Sequence, residues 1–332
     1  MRSPYARSLV TEAPKSGTDT IPELFGNPGR SPPAHIIAGQ WHGCFDLHCI
    51  MGERTFSIAT GYFLQDDPTA DGDVIGALPD RFGLLDDSED RWGKFAKHIQ
   101  DLNDAAPEGT RYKVFFLVRH GQGYHNVAEA KYGTTDWDNY WSKLNGDEDI
   151  TWGPDPELTA VGVAQAVAAR QLWEAELKYG LPLPTKHYAS PMRRALQTWR
   201  EIFVNSGMLR DSVDRVTMIE NLREEYGVHT CDKRFSRTVI ARDFPPPTYE
   251  FEDGFSEEDE IWQEDERESK PHIKQRAQGV LSRIFAHDIE ETFICITAHS
   301  GIINGFLAAL GRPRYPLPTG GILPLVIKGV ES

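Results

Sequence analysis

The chain has 332 residues, 39% hydrophobic and 26% charged, close to the globular norm and enough for a sizeable core in one large domain or two. Its formal net charge of −15 argues against nucleic acid as a partner, because a phosphate backbone needs a basic face. The same charge repels anionic substrates at long range, so any phosphate site has to be a local basic pocket.

The cysteines are Cys44, Cys49, Cys231 and Cys295. They read as scattered free thiols, and no second ligand pair at zinc spacing accompanies Cys44 and Cys49. The N-terminus has no signal-like apolar core, no run is long enough to span a bilayer, and there is no Asn-x-Ser/Thr acceptor. The expectation is a soluble cytoplasmic protein with no membrane partner. The nucleus and the oligomeric state are left open.

Residues 1–36, rich in Pro, Ser, Gly and charge, are expected to form a flexible arm. Residues 37–110 are expected to be an N-terminal extension packing on the core. Within it, 56–63 reads as a strand, and 91–103 reads as a helix because Trp92, Phe95, Ile99 and Leu102 fall near helical spacing. The remainder, 111–332, reads as the catalytic domain, with an irregular insert at about 228–272. KVFFLV at 113–118 is an apolar run of β-formers, expected as a buried strand. Thr159 is expected to cap a helix over 160–178, with Val161, Ala164, Ala168 and Leu172 facing inward. A strand at 187–189 is followed by Ser190-Pro191, which reads as an N-cap with proline at the first helical position, opening a helix to about 205. Further elements are a strand at 216–219, a helix at 273–286, a strand at 292–297 and a helix at 301–310. This alternation predicts an α/β fold: a mainly parallel sheet covered by helices on both faces.

Two histidines occupy matching positions. His120 directly follows KVFFLV, and His299 follows TFICIT. In an open α/β sheet, ligands collect beyond the carboxyl ends of the strands, where strand order reverses. Both imidazoles are therefore expected in one crevice. Arg119 adjoins His120, and Arg193 and Arg194 sit in the first turn of the helix in SPMRRALQT. A guanidinium fork matches phosphate geometry, and helix N-termini favour anions.

RHGQGYHN, followed in order by LTAVGVAQA, SPMRRALQT, LREEYG and TAHSG, resembles the signature of the histidine phosphatase superfamily in its phosphoglycerate-mutase-like branch. LNGDEDITWGPDPELT and VHTCDKR are also similar to fungal phosphomutase-like proteins. The resemblance implies His120 as a nucleophile that becomes phosphohistidine. It implies a phosphate clamp of Arg119, Arg194, His299 and Asn126, and Glu224 as proton donor to the leaving oxygen with Glu225 as fallback. Gly121, Gln122, Arg193 and Ser300 complete the expected phosphate-binding set. No metal or cofactor is called for. Ser300 follows His299 where the acid phosphatase and phytase branch has aspartate, which leaves the acid role with Glu224.

The expected function is hydrolysis of a small phosphorylated metabolite. The alternatives are a phosphomutase, a reaction on a non-phosphate substrate, or a binding protein on the same fold. His125 and His229 read as ordinary loop histidines more readily than as pocket residues. Trp137, Tyr140, Trp141 and Trp152 read as packing residues before they read as a stacking platform. The acidic stretch 250–268 reads as a solvated, mobile loop, or else as a lid that disfavours highly phosphorylated substrates.

Overall fold

The computed structural model describes residues 54–209 and 215–331. The arm expected at 1–36, Cys44 and Cys49 lie outside those residues. Seven strands form one sheet: β1 (Arg54–Ala59), β2 (Thr110–Arg119), β3 (Lys186–Ala189), β4 (Val216–Met218), β5 (Tyr249–Phe251), β6 (Phe293–Ala298) and β7 (Ile322–Glu331). Their spatial order is β1-β7-β2-β6-β3-β4-β5. From β2 to β5 every pairing is parallel. β7 runs antiparallel to both β2 and β1. The sheet is thus mainly parallel.

The helices are α1 (Gly72–Ile75), α2 (Arg91–Asp104), α3 (Tyr124–Tyr132), α4 (Thr134–Asn139), α5 (Ala160–Leu177), α6 (Arg193–Ile202), α7 (Arg237–Asp243), α8 (Lys270–His287) and α9 (Ser300–Ala309). Strand β2 shows how they cover both faces. Side chains alternate across a strand, so Val114, Phe116 and Val118 join the apolar cluster with Trp92, Trp173 and Trp199 from α2, α5 and α6. Phe115 and Leu117 join the opposite cluster with Ile284, Phe285 and Phe306 from α8 and α9. A run of consecutive apolar residues is what a strand buried on both faces requires.

This arrangement creates the crevice. After β2 the chain crosses to β3 by way of α5, on one face. After the neighbouring β6 it continues into α9, on the other face. Crossovers that leave adjacent parallel strands in opposite directions open a gap beyond their carboxyl ends.

Three local expectations need correction. The inward stripe of α5 is Gly162, Ala166, Ala169, Trp173 and Glu176. Val161, Ala164 and Ala168 are exposed, and Leu172 is half-buried. The cause is at the helix start, where Gly162 packs so closely on the backbone of Gln122 that a Cβ would collide with it. That contact fixes the rotation of the helix. Second, α6 starts at Arg193 with Met192 as N-cap, not at Ser190, whose hydroxyl is engaged elsewhere. Third, the acidic stretch is tied down. Asp259 takes both ends of the Arg223 guanidinium at 2.7 and 2.8 Å, and Glu268 takes Arg276 twice at 2.6 Å. Ser256 Oγ accepts from Arg234 at 2.8 Å. Four of its carboxylates, Glu250, Glu252, Asp259 and Glu268, pair with arginines from elsewhere in the chain, while the other seven are exposed, as expected of a solvated stretch.

Residues 54–110 contribute strand β1 and helix α2 to this same unit. Arg91 on α2 forms a bidentate bond to Glu176 on α5 at 2.8 and 2.9 Å, and Trp92 Nε1 donates to the same carboxylate at 2.8 Å. Both charged side chains are nearly solvent-free. Removing one partner of a buried pair strands the other. Glu176→Ala is expected to lower stability by about 3–5 kcal/mol, read as a fall in the urea midpoint. A midpoint within error of wild type would show that α2 is not anchored through this pair.

Candidate active site

Three neighbouring parallel strands end at the crevice. β2 runs into Arg119 and His120, β6 into Ala298 and His299, and β3 into Ala189 and Ser190. The ladder continues one step past the strands: His120 N–H donates to Ala298 O and Ser190 N–H to Thr297 O, both at 3.0 Å. The His120 and His299 rings lie edge to face, with centroids 5.0 Å apart.

His120 is 2% exposed. Its Nδ1 sits 2.7 Å from Gly121 O. A carbonyl only accepts, so Nδ1 carries the proton and Nε2 holds the free lone pair. Burial first, then Arg194 and Arg119, hold the imidazole well below its ordinary pKa. His120 is therefore neutral through the physiological range, as a nucleophile must be.

His299 is fully buried and is depressed for the same first reason, with Arg194 next. Its Nε2 lies 2.8 Å from Ser190 Oγ. Met192 N–H donates to that oxygen at 3.3 Å, and the serine hydroxyl proton is oriented to Nε2. With that bond the His299 proton sits on Nδ1, which has no partner among the described residues. Ser190 thus orients the second histidine, and this is why it does not cap α6.

Arg194, also fully buried, donates through Nη1 to Cys231 O and through Nη2 to Asp232 Oδ1, both at 2.9 Å. Arg119 donates through Nη1 to Leu317 O at 2.7 Å. Each keeps a buried Nε with no partner. Unpaired buried donors cost about 1–3 kcal/mol apiece. Two such guanidiniums and His299 Nδ1 beside a neutral imidazole form a set that an anion with several acceptor oxygens satisfies.

Glu224 follows β4 and the short turn after it. Its oxygens accept from Glu225 N–H at 2.8 Å and Gly301 N–H at 3.1 Å. Burial first and Asp232 second raise its pKa, against the pull of those two bonds and Arg194.

Arg119, His120, Asn126, Glu224 and Ser300 line a cavity of about 590 Å³, with Arg194 and His299 directly behind it. Asn126 also accepts from Gly123 N–H at 2.9 Å, fixing the start of α3. Glu225, the fallback acid, is on the wall but is paired with Lys270 and Arg267. Five expected residues are thus off the cavity wall: Arg194 and His299 behind it, and three more that are engaged elsewhere. Arg193 reaches Glu157 at 2.8 Å and Asp243 at 3.3 Å. Gln122 accepts the Thr159 hydroxyl at 2.8 Å. Gly121 packs on α5, where a Cβ would collide with Gly162 O. Arg193 and Arg194 are consecutive, so a helix points them about 100° apart and only one can serve the site.

The cavity also includes residues given little weight from sequence. His125 lies 5.4 Å from the His120 ring, and His229, Trp137, Arg267, Lys270, Arg312 and Arg314 are on the wall. The H-N after RHGQGY and the VHTCDKR stretch hinted at His125 and His229 alone. Trp152 is fully buried with Trp137 in a small cluster, while Tyr140 is exposed. The acidic stretch 250–268 reaches the wall through Arg267, not through its carboxylates, so the expected acidic lid effect has no counterpart there. His229, Cys231 and Asp232 bring ligand-type atoms within 4.8 Å of one another. Both Asp232 oxygens are already bonded to arginines, whose charges oppose a metal ion.

A buried imidazole with a free Nε2, cationic donors without partners and a raised carboxyl define a phosphoryl-transfer class of site. The sequence profile of the histidine phosphatase superfamily (branch 1) matches residues 115–317, and the chain belongs to that family. It is 41% identical over 286 residues to "Probable phosphoglycerate mutase" of Arthroderma benhamiae, covering 82% of this chain and 84% of that one. It is 35% identical to "Phosphomutase-like protein 3" of Candida albicans, covering 88% and 86%. It is also 35% identical to "Probable phosphoglycerate mutase PMU1" of Saccharomyces cerevisiae, covering 70% and 85%. These relatives support an enzyme of phosphatase or mutase type.

The Ser190 bond generates a test. Ser190→Ala removes the group that orients His299, worth about 0.5–1.5 kcal/mol for a hydrogen bond. The dissociation constant for orthophosphate, measured by calorimetry, is expected to rise about 3- to 10-fold with the fold unchanged. An unchanged constant would remove Ser190 from the site.

Proposed function

We propose that this chain hydrolyses a small phosphomonoester through a phosphohistidine on His120. The observation that carries the reading is the set of buried donors without partners, Arg119 Nε, Arg194 Nε and His299 Nδ1, beside an imidazole whose free nitrogen is Nε2.

In the first step His120 Nε2 attacks phosphorus and the bond from phosphorus to the ester oxygen breaks. Charge on the equatorial oxygens is met by the two arginines and His299, already in place before reaction. The leaving alkoxide takes the Glu224 proton. Burial raises the pKa of that carboxyl, which favours the protonated form that a proton donor needs. In the second step a water attacks the phosphohistidine, the Glu224 carboxylate accepts its proton, and orthophosphate leaves with His120 restored. The residues described supply every charge and proton in this sequence.

A phosphomutase is the second reading, favoured by the names of the fungal relatives. It uses the same first step, and the phosphoryl group then passes to another hydroxyl of the substrate instead of water. Incubation with 3-phosphoglycerate separates the two: free phosphate supports hydrolysis, and 2-phosphoglycerate supports the mutase.

Glu224→Gln tests the acid role. Alkyl phosphates need a protonated leaving oxygen and p-nitrophenyl phosphate does not. The variant is expected to lose about 10²–10⁴-fold in kcat/KM on the alkyl ester and much less on the nitrophenyl ester. Equal losses on both would remove Glu224 from that role.

A further inference from the structure

The turn Thr230–Asp232 packs against the back of Arg194. Asp232 is 4% exposed. Its Oδ1 accepts from Arg194 Nη2 and its Oδ2 from Arg267 Nη1, both at 2.9 Å. The Cys231 carbonyl takes Arg194 Nη1. Two consecutive residues therefore fix both Nη groups of the clamp guanidinium and leave Nε as the free donor. Arg267 is held in turn by Gly227 O at 2.8 Å, and its Nε lies 3.4 Å from Glu225.

We propose that Asp232 is a positioning residue of this site: one carboxylate oxygen aims Arg194, the other anchors the insert through Arg267, and its negative charge is set against Glu224. This rests on the reading of Glu224 as proton donor given above.

The two arginines keep Asp232 ionised despite burial, which alone would raise its pKa. Ionised Asp232 is the largest charge effect raising Glu224, second only to burial. The groups facing Glu224 can be taken element by element. Arg119 at the end of β2 and Arg194 on α6 favour its charged form, as do the N–H groups of Gly301 on α9 and of Glu225. Asp232 opposes them, and the neutral Cys231 thiol adds no charge, its own pKa pushed well up by burial. The Glu225 carboxylate on the same wall is paired with Arg267 and Lys270, so loss of Asp232 tips the balance toward the cations and Glu224 releases its proton at lower pH. One side chain thus reconciles two conflicting needs, a strongly cationic phosphate clamp and a protonated carboxyl beside it.

The test is the titration of Glu224, followed by ¹³C-carboxyl NMR with Glu224→Gln to assign the signal. Asp232→Asn keeps an acceptor for Arg194 and removes the charge. Its Glu224 midpoint is expected to fall by on the order of one unit. Hydrolysis of an alkyl phosphate above that midpoint is then expected to fall about tenfold, while p-nitrophenyl phosphate is little affected. Asp232→Glu keeps the charge, and its Glu224 midpoint is expected to stay at the wild-type value. A fall confined to the neutral variant is something a loosened structure does not produce. An unchanged midpoint in folded Asp232→Asn overturns the proposal. If that variant does not fold, Asp232→Ser takes its place, and an unchanged midpoint in it overturns the proposal. Should the wild type release no phosphate while the midpoints shift as stated, the hydrolase reading fails and the coupling of Asp232 to Glu224 stands.

Discussion

Arg194 holds a full positive charge with no solvent exposure, beside two imidazoles that must stay neutral. This is the constraint on which the site depends. An unpaired buried charge is expensive, and breaking a buried pair costs about 3–5 kcal/mol. Asp232 and the Cys231 carbonyl compensate it. They do so from one side only and leave Nε free. The same charge helps hold His120 and His299 well below their ordinary pKa. Packing, electrostatics and the nucleophile's protonation state are thus aspects of one arrangement.

The rest of the fold can be understood as support for that arrangement. Parallel pairing of β2, β6 and β3 brings His120, His299 and Ser190 to one edge. Gly121 N–H donates to Thr198 Oγ1 at 3.0 Å, and that hydroxyl donates to Arg194 O at 2.7 Å, so the loop after β2 is bonded directly to α6. The insert is strongly acidic in sequence. In the structure Asp259 and Glu268 of its acidic stretch are paired with Arg223 and Arg276, most other carboxylates of that stretch face solvent, and Arg267 faces the cavity. An acidic protein can therefore keep a cationic pocket, because no carboxylate of 250–268 is on the cavity wall.

What the sequence disclosed follows from which signals are local. KVFFLV and TFICIT are continuous apolar runs, and their burial on both faces could be read directly. The histidines after them followed from chain position alone. Strand β7 was harder to foresee, because Pro324 lies within it; the proline pairs with Phe116 of β2 at a point that β1, whose pairing ends at Val326, does not reach, and proline is tolerated at such an open edge. The rotation of α5 depends on the contact of Gly162 with Gln122, which no periodicity reports. Ser190 looked like a cap because its competing partner, His299, is 109 residues away in sequence. Asp232 carried only the soft hint of VHTCDKR and Arg267 carried none, since their importance lies in a long-range bond.

The central claim is that the imidazole of residue 120 becomes covalently phosphorylated. Alkaline-stabilised digestion and mass spectrometry after a millisecond quench with p-nitrophenyl phosphate test it most directly. The account predicts a phosphoryl group on the peptide containing His120, absent in His120→Ala and longer-lived in Glu224→Gln. Steady turnover with no phosphorus on that peptide at any quench time would contradict it.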